Sequence, residues 1–162
     1  DQVDGLARVA ASTSIPVACG ERLTTRREFH DVLRAGVTIL QPQIGRCGGI
    51  WETKKIAVLA ELFNVQIAPH IYCGPVAHAA AAHVAASSPN FLILETIRTA
   101  FHDAIVRRPL DWDAGHLRLT DAPGLGIELD DDAVAAHAAP DDAPLHLEMH
   151  PEPLSSDNTI LG

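Results

Sequence analysis

Four short apolar runs, each ending in a polar residue, constrain the fold of this chain more than any other feature. They are SIPVACGE (14–21), VTILQPQ (37–43), VQIAPHI (65–71) and NFLILET (90–96). Helical patterns follow the first three at 24–36, 48–64 and 74–88. The runs are nearly continuous in apolar residues rather than alternating, as in parallel strands covered by helices. Strands alternating with helices make βα units.

The helices carry start and stop signals. Thr24 or Thr25 can cap the first, with Glu28 as the carboxylate of a capping box. Gly36 closes that helix and Asn64 the next. Ile50, Ile56, Leu59 and Leu62 mark the apolar face of 48–64, with Lys54, Lys55 and Glu61 off it.

The strand ends are the informative positions. Glu21, Gln43, His70 and Glu95 each stand at or next to the end of a run, at intervals of 22, 27 and 25 residues. With a side-chain period of two, Glu21 shares a face with Val17 and Cys19, and Gln43 with Ile39 and Gln41. His70 shares one with Ala68, and Glu95 with Phe91 and Ile93. Four polar groups therefore meet at the carboxyl ends of adjacent parallel strands, where α/β folds bind ligands. Units of this length suit a (β/α)8 barrel, but 162 residues fall short of the roughly 250 that a whole barrel takes. The expected fold is α/β: the C-terminal half of such a barrel, about four βα units over residues 1–100. Asp1 stands in what reads as mid-helix with no initiator Met, which suggests a fragment.

Beyond residue 100 the texture turns rich in Pro, Asp and Gly. A short strand at 116–119, a helical turn near 130–137 and a coil-like tail are expected in a second segment, 101–162. The DAPGLGIE stretch reads as a tight turn before a strand, since Gly124 and Gly126 are not followed by the Gly-Lys of a phosphate loop.

Composition narrows the partners. At 47% hydrophobic the chain can bury a sizeable core. Its formal net charge of −9 and lack of a basic stripe disfavour nucleic acid and anionic membranes. No apolar run approaches the roughly 20 residues of a membrane span, and none opens the chain as a signal peptide. Cys19, Cys47 and Cys73 lack CxxC spacing and read as reduced fillers, so a cytoplasmic protein is expected.

Each strand-end residue offers a chemistry and a plainer alternative. Glu21 suits a hard cation such as Mg²⁺, which takes few carboxylates and keeps several waters; an ion pair with Arg22 or Arg46 is the alternative. His70 suits proton transfer near neutrality, or is a satisfied structural residue. Glu95 ends a run expected to be buried, where a carboxyl holds its proton and donates a hydrogen bond to an oxyanion; an ion pair with Arg98 is the alternative. His78 and His83, five apart on the Ala-rich helix, read as solvent-facing. His137, His146 and His150 are given no catalytic role. HLEMH (146–150) lacks the Glu directly after its first His and lies in a Pro-rich stretch, unlike a zinc helix.

Together the segments IPVACGERL, ILQPQIGRCGGIWETKKIAVLAE, IAPHIYCGP, PNFLILE and PGLGIELDDD resemble the enolase superfamily. The resemblance is to the mandelate racemase subgroup and its galactonate-type sugar-acid dehydratases, and it reaches the LHLEMHPEP tail. It implies Glu21 as the third carboxylate ligand of Mg²⁺ and His70 as the histidine at the end of the seventh barrel strand. Glu95 is implied as the eighth-strand glutamate that hydrogen-bonds the substrate carboxylate or enolate. The first two metal ligands and the base of the second strand would lie before Asp1, and the last 40-odd residues would pack on a capping domain. The implied activity is a Mg²⁺-dependent hydro-lyase that removes the proton next to the carboxylate of a sugar acid and eliminates water. A homo-oligomer is implied at full length, and the 162 residues alone should be inactive.

Gln43 departs from that pattern. The subgroup usually has an Asp there that holds and charges the histidine, whereas Gln43 can accept a ring N–H but brings no charge. An amide in place of the orienting Asp costs on the order of 10⁴ in rate in serine proteases. A racemase, epimerase or lactone cycloisomerase on the same scaffold, or an inactive half-barrel, are the other readings.

Overall fold

A computed structural model of the chain describes residues 2–141. Helix α1 (Gln2–Ala11) leads to strand β1 (Ala18–Cys19), α2 (Arg26–Arg34), β2 (Ile39–Leu40), α3 (Gly49–Leu62), β3 (Gln66–Ile67) and α4 (Pro75–Ala86). The strands are parallel and ordered β1-β2-β3. The fourth run joins the free side of β3 through a parallel bridge between Ile67 and Phe91. Neighbours in space are thus neighbours in sequence, as in a barrel wall and unlike a doubly wound sheet, whose order reverses. This is part of a (β/α)8 barrel.

The regular ladders are only two residues long because prolines interrupt them. Pro42 and Pro69 have no N–H to donate, yet their carbonyls accept from His70 (3.1 Å) and Glu95 (3.3 Å). Pairing therefore continues irregularly to the strand ends. Glycine is required at one of them. Gly20 has φ +138°, and a Cβ there would lie 2.8 Å from Phe29 Cε1 and 3.1 Å from the Gln41 nitrogen.

Helix α2 begins in the expected capping box, with Thr25 as N-cap. The Glu28 N–H donates to Thr25 Oγ1 (3.3 Å), and the Thr25 and Thr24 N–H groups donate to Glu28 Oε2 (2.8 and 3.0 Å). The Thr25 hydroxyl and these amides hold the Glu28 carboxyl at about 2. Gly36 and Asn64 adopt the left-handed backbone just past α2 and α3, as their helix-closing role demands. Lys54 on α3 caps the end of α4 by donating to the Ser87 carbonyl (2.5 Å).

The main core joins Phe29, Val32 and Leu33 of α2 to Leu40, Ile67, Ile56, Ala57 and Ala60. Fully burying a side chain such as Phe29 or Ile56 stabilises by about 1.5–3 kcal/mol. Asn90 ties the fourth run to this core, its Nδ2 donating to the carbonyls of Ala57 (3.0 Å) and Val65 (2.9 Å). A second cluster packs Ile44 and Ile71 against Ala80, Ala81 and Val84.

Three expectations are corrected. The buried face of α3 is Thr53, Ile56, Ala57 and Ala60, whereas Ile50 and Leu62 are exposed. Thr53 is accommodated there because its hydroxyl donates to the Gly49 carbonyl (2.7 Å). The fourth run is not buried: Phe91, Leu92 and Ile93 are exposed, because among the described residues only β3 pairs with it. His78 does not face solvent. It is 4% exposed, its Nδ1 is 3.1 Å from Thr96 Oγ1, and its ring meets Trp112 edge-on at 5.4 Å. His83 is half-buried, with Nε2 3.3 Å from the Leu125 carbonyl.

Beyond residue 99 come α5 (Ala100–Ala104), β4 (Val106–Arg108), β5 (Asp111–Asp113), β6 (His116–Arg118), β7 (Glu128–Leu129) and α6 (Asp131–Ala136). Strands β4 and β7 form one antiparallel pair and β5 and β6 another. The expected strand near 116–119 and helix near 130–137 are present. The other elements carry no sequence periodicity that announces them. His146 and His150 lie outside the described residues. No helix among those described is long and apolar enough to cross a membrane.

Two outcomes test this packing. Gly20→Ala destabilises by about 1–3 kcal/mol, because backbone strain and a clash with Phe29 act together. Gly5→Ala, in open space within α1, stabilises by about 0.5–1 kcal/mol. Urea unfolding checks both. Burial, and secondarily His102, push the His78 ring below the ordinary histidine range. Its contribution to stability is full above about pH 6.5 and is lost as pH falls below that value. His78→Leu should therefore flatten the fall in the urea midpoint between pH 7 and pH 5; an unchanged fall would refute the assignment.

Candidate active site

The strand ends build a polar cleft of about 380 Å³ lined by Glu21, Gln43, Arg46, His70 and Tyr72. The β2–β3 register pairs Ile39 with Gln66 and Leu40 with Ile67, which carries Gln43 opposite His70. The Glu95 N–H bond to Pro69 then sets Glu95 beside His70 on the other side. Glu21 follows the turn at Gly20, which redirects the end of β1.

His70 is the hub of this arrangement. Its Nδ1 lies 2.5 Å from Glu95 Oε2 and 3.5 Å from Glu21 Oε2. A carboxylate accepts, so Nδ1 carries the hydrogen and the ring is held in one tautomer. Tyr72 stacks nearly parallel to the ring, with centroids 6.5 Å apart. The His70 side chain is 18% exposed and those of Glu21 and Glu95 are 48% and 46% exposed, so the ring is sheltered between two wet carboxylates.

Gln43 takes no part in that contact. It is the lateral neighbour of His70, yet the ring bonds Glu95 instead, and the Gln43 amide oxygen is buried without a hydrogen-bond partner. Orientation of the histidine, expected from position 43, is supplied from the next strand. The surroundings expected for Glu95 are also different, since its carboxylate is half-exposed and only β3 pairs with its run among the described residues. Arg98 pairs with Asp103 (2.9 Å) rather than with Glu95. Glu21 has Arg22 near its other oxygen, Nε to Oε1 3.6 Å, an exposed pair of the kind worth about 0–1 kcal/mol. Arg46 and Tyr72 join the cleft without having been singled out as site residues. Arg46 follows Gln43 by three, one helical turn past a strand end, and that spacing was the available signal.

The chemistry of Glu21 is compatible with a divalent cation. Its hard, half-exposed carboxylate suits Mg²⁺, which takes one or two carboxylates and keeps its waters. No group of three His, Cys, Asp or Glu that could hold a metal occurs among the described residues. The three cysteines are free; burial raises the thiols of Cys19, Cys47 and Cys73 above their usual range.

Comparison with known proteins supports the same architecture. The family model described as "Enolase C-terminal domain-like" matches residues 1–133. A D-galactonate dehydratase of Ralstonia pickettii is 39% identical over 152 residues, covering 87% of this chain and 40% of its own length. A D-galactarolactone cycloisomerase of Agrobacterium fabrum is 41% identical over 152 residues, with the same coverage of 87% and 40%. The crystal structure of a mandelate racemase/muconate lactonizing enzyme from Jannaschia sp. CCS1 superposes with a TM-score of 0.85 at 51% identity, over 91% of this chain and 38% of that one. The chain thus spans about 40% of the length of the curated relatives it matches.

Proposed function

The chain belongs to the enolase C-terminal domain-like family, and on that premise we propose that it forms part of a sugar-acid dehydratase. Such a lyase removes the proton next to a carboxylate and expels a neighbouring hydroxyl as water. The observation that carries this reading is the His70 contact, with Nδ1 2.5 Å from Glu95 and 3.5 Å from Glu21 at the mouth of a polar cleft. The identity to D-galactonate dehydratases supports the substrate class.

In this reading each residue has a separate task. Glu95 fixes the His70 ring through Nδ1, which leaves Nε2 to exchange a proton with the substrate. For the acid step His70 acts as the imidazolium, with a hydrogen on each ring nitrogen. The Nε2 proton passes to the departing hydroxyl, which leaves as water, and the ring returns to its neutral form with the Nδ1 hydrogen still donated to Glu95. Glu21 is the residue of this chain that would hold a Mg²⁺ ion, which, when bound, supplies positive charge to the carboxylate as negative charge develops on it. The base that takes the first proton, and the further metal ligands, come in this proposal from outside residues 1–162.

Gln43 gives a second reading a specific basis. A neutral amide at this strand end, with no carboxylate contributed by β2, weakens the case for an acid step strong enough to expel hydroxide. A cycloisomerase, which opens or closes a lactone without losing water, needs less of it; the Agrobacterium relative carries that name. We further place the protein in the cytoplasm, which suits its free thiols. We also place it in a homo-oligomer, which suits the exposed Trp51 and Leu62 on the side of α3 away from its core.

The test is product analysis with the full-length protein, Mg²⁺ and a panel of sugar acids. Dehydration yields a keto-deoxy acid one water lighter than the substrate, and Glu21→Gln lowers its rate by about 10²-fold or more. A product of unchanged mass establishes isomerisation, and no product from any acid removes the enzymatic reading.

A further inference from the structure

The run that carries Glu95 to His70 is paired on one side only among the described residues. Along it the Ile67 N–H donates to the Asn90 carbonyl and the Leu92 N–H to the Ile67 carbonyl, both at 2.9 Å. The Glu95 N–H donates to the Pro69 carbonyl at 3.3 Å. The backbone bond nearest the cleft is thus the longest of the three, and a carboxylate held at a fixed distance from the ring needs a second tie.

That tie lies on the opposite face of the run. Side chains alternate along an extended segment, so Leu94 and Thr96 face away from the cleft that Glu95 enters. Leu94 packs on the cluster that includes Ala80, Ala81 and Val84 of α4. Thr96 Oγ1 lies 3.1 Å from Nδ1 of His78, on the same helix. One βα unit therefore grips two consecutive residues of the next run. Its strand end meets Glu95 through His70, and its helix meets Thr96 through His78.

His78 is an unexpected residue to bury on an alanine-rich helix. It is 4% exposed, and its Nε2 atom has no hydrogen-bond partner among the described residues. Burying a polar ring without its full set of bonds is unfavourable, so the bond it does make calls for a role. The ring is braced in the orientation that makes it. Trp112 meets it edge-on with centroids 5.4 Å apart, and the cavity beside it, walled by Ile97, Val106 and Trp112, measures only about 30 Å³. The imidazole has little room to rotate away from Thr96.

We propose that His78 is a positioning residue of the active site: through Thr96 it fixes the backbone that carries Glu95, and so holds the Glu95 carboxylate on Nδ1 of His70. His78 stands outside the cleft itself and takes no part in proton transfer. The inference rests on the His70–Glu95 contact used in the proposed function, and it is independent of which reaction follows.

NMR of the full-length protein carrying ¹⁵N tests this with three variants. Thr96→Val removes the hydroxyl at nearly constant shape. Thr96→Ser keeps it. His78→Phe keeps an aromatic ring against Trp112 without its nitrogens. Thr96→Val and His78→Phe should each speed hydrogen exchange of the Glu95 N–H by about 3- to 10-fold. Both should also move the ring nitrogens of neutral His70 from one tautomer toward a mixture of the two, while Thr96→Ser retains the parent pattern. Circular dichroism establishes folding, and if His78→Phe does not fold, the two Thr96 variants decide. A residue that merely packs α4 leaves the His70 nitrogens unmoved in Thr96→Val, and that result overturns the proposal. A Thr96→Ser protein that matches Thr96→Val also overturns it, since the hydroxyl would not be the agent. A parent protein whose neutral His70 carries its hydrogen on Nε2 overturns both the proposal and the orientation it transmits. A His70 tautomer that depends on Thr96, in a protein that turns sugar acids into products of unchanged mass, upholds the proposal and overturns the dehydratase reading alone.

Discussion

The parallel register of β2 on β3, carried past two prolines to the strand ends, is the constraint on which the candidate site depends. It sets Gln43 beside His70, and the bond from the Glu95 N–H to the Pro69 carbonyl sets Glu95 on the other flank. A slip of one residue would turn each of these side chains to the opposite face. The helices hold the register. Phe29, Ile56, Ala57 and Ala60 interlock under the sheet, and Asn90 binds the fourth run to the carbonyls of Ala57 within α3 and Val65 just before β3.

Within that frame the side chains divide into two groups. Glu21, His70 and Glu95 satisfy one another, so the ring is oriented before any ligand arrives. Gln43 and Arg46 are left unmatched among the described residues. Charge follows the same division. The two carboxylates flank the histidine, and the cation stands on the turn beyond the end of β2.

The sequence made the βα units, their order and the four strand ends legible, because continuous apolar runs and capping signals are local features. Thr25, Glu28, Gly36 and Asn64 do what their positions imply. What it concealed depends on pairing in space. His78 looked like a surface residue on an alanine-rich helix, but residues 96 and 112 fold over it, and nothing in the helical period announces that contact. The exposed fourth run and the true buried face of α3 were hidden for the same reason: burial is set by which neighbours are present. The strand register puts Gln43 across from His70, but strand period alone does not tell which neighbour bonds the ring, and that contact comes from Glu95, 25 residues later.

The central claim is that His70 is oriented by Glu95 through Nδ1. Long-range ¹⁵N–¹H NMR of the His70 ring tests it directly, because the two nitrogens of a neutral imidazole differ according to which one carries the hydrogen. The account predicts a protonated Nδ1 and an unprotonated Nε2 in the neutral ring, with that preference lost in Glu95→Ala. A neutral ring protonated at Nε2, or a tautomer indifferent to Glu95→Ala, would contradict it.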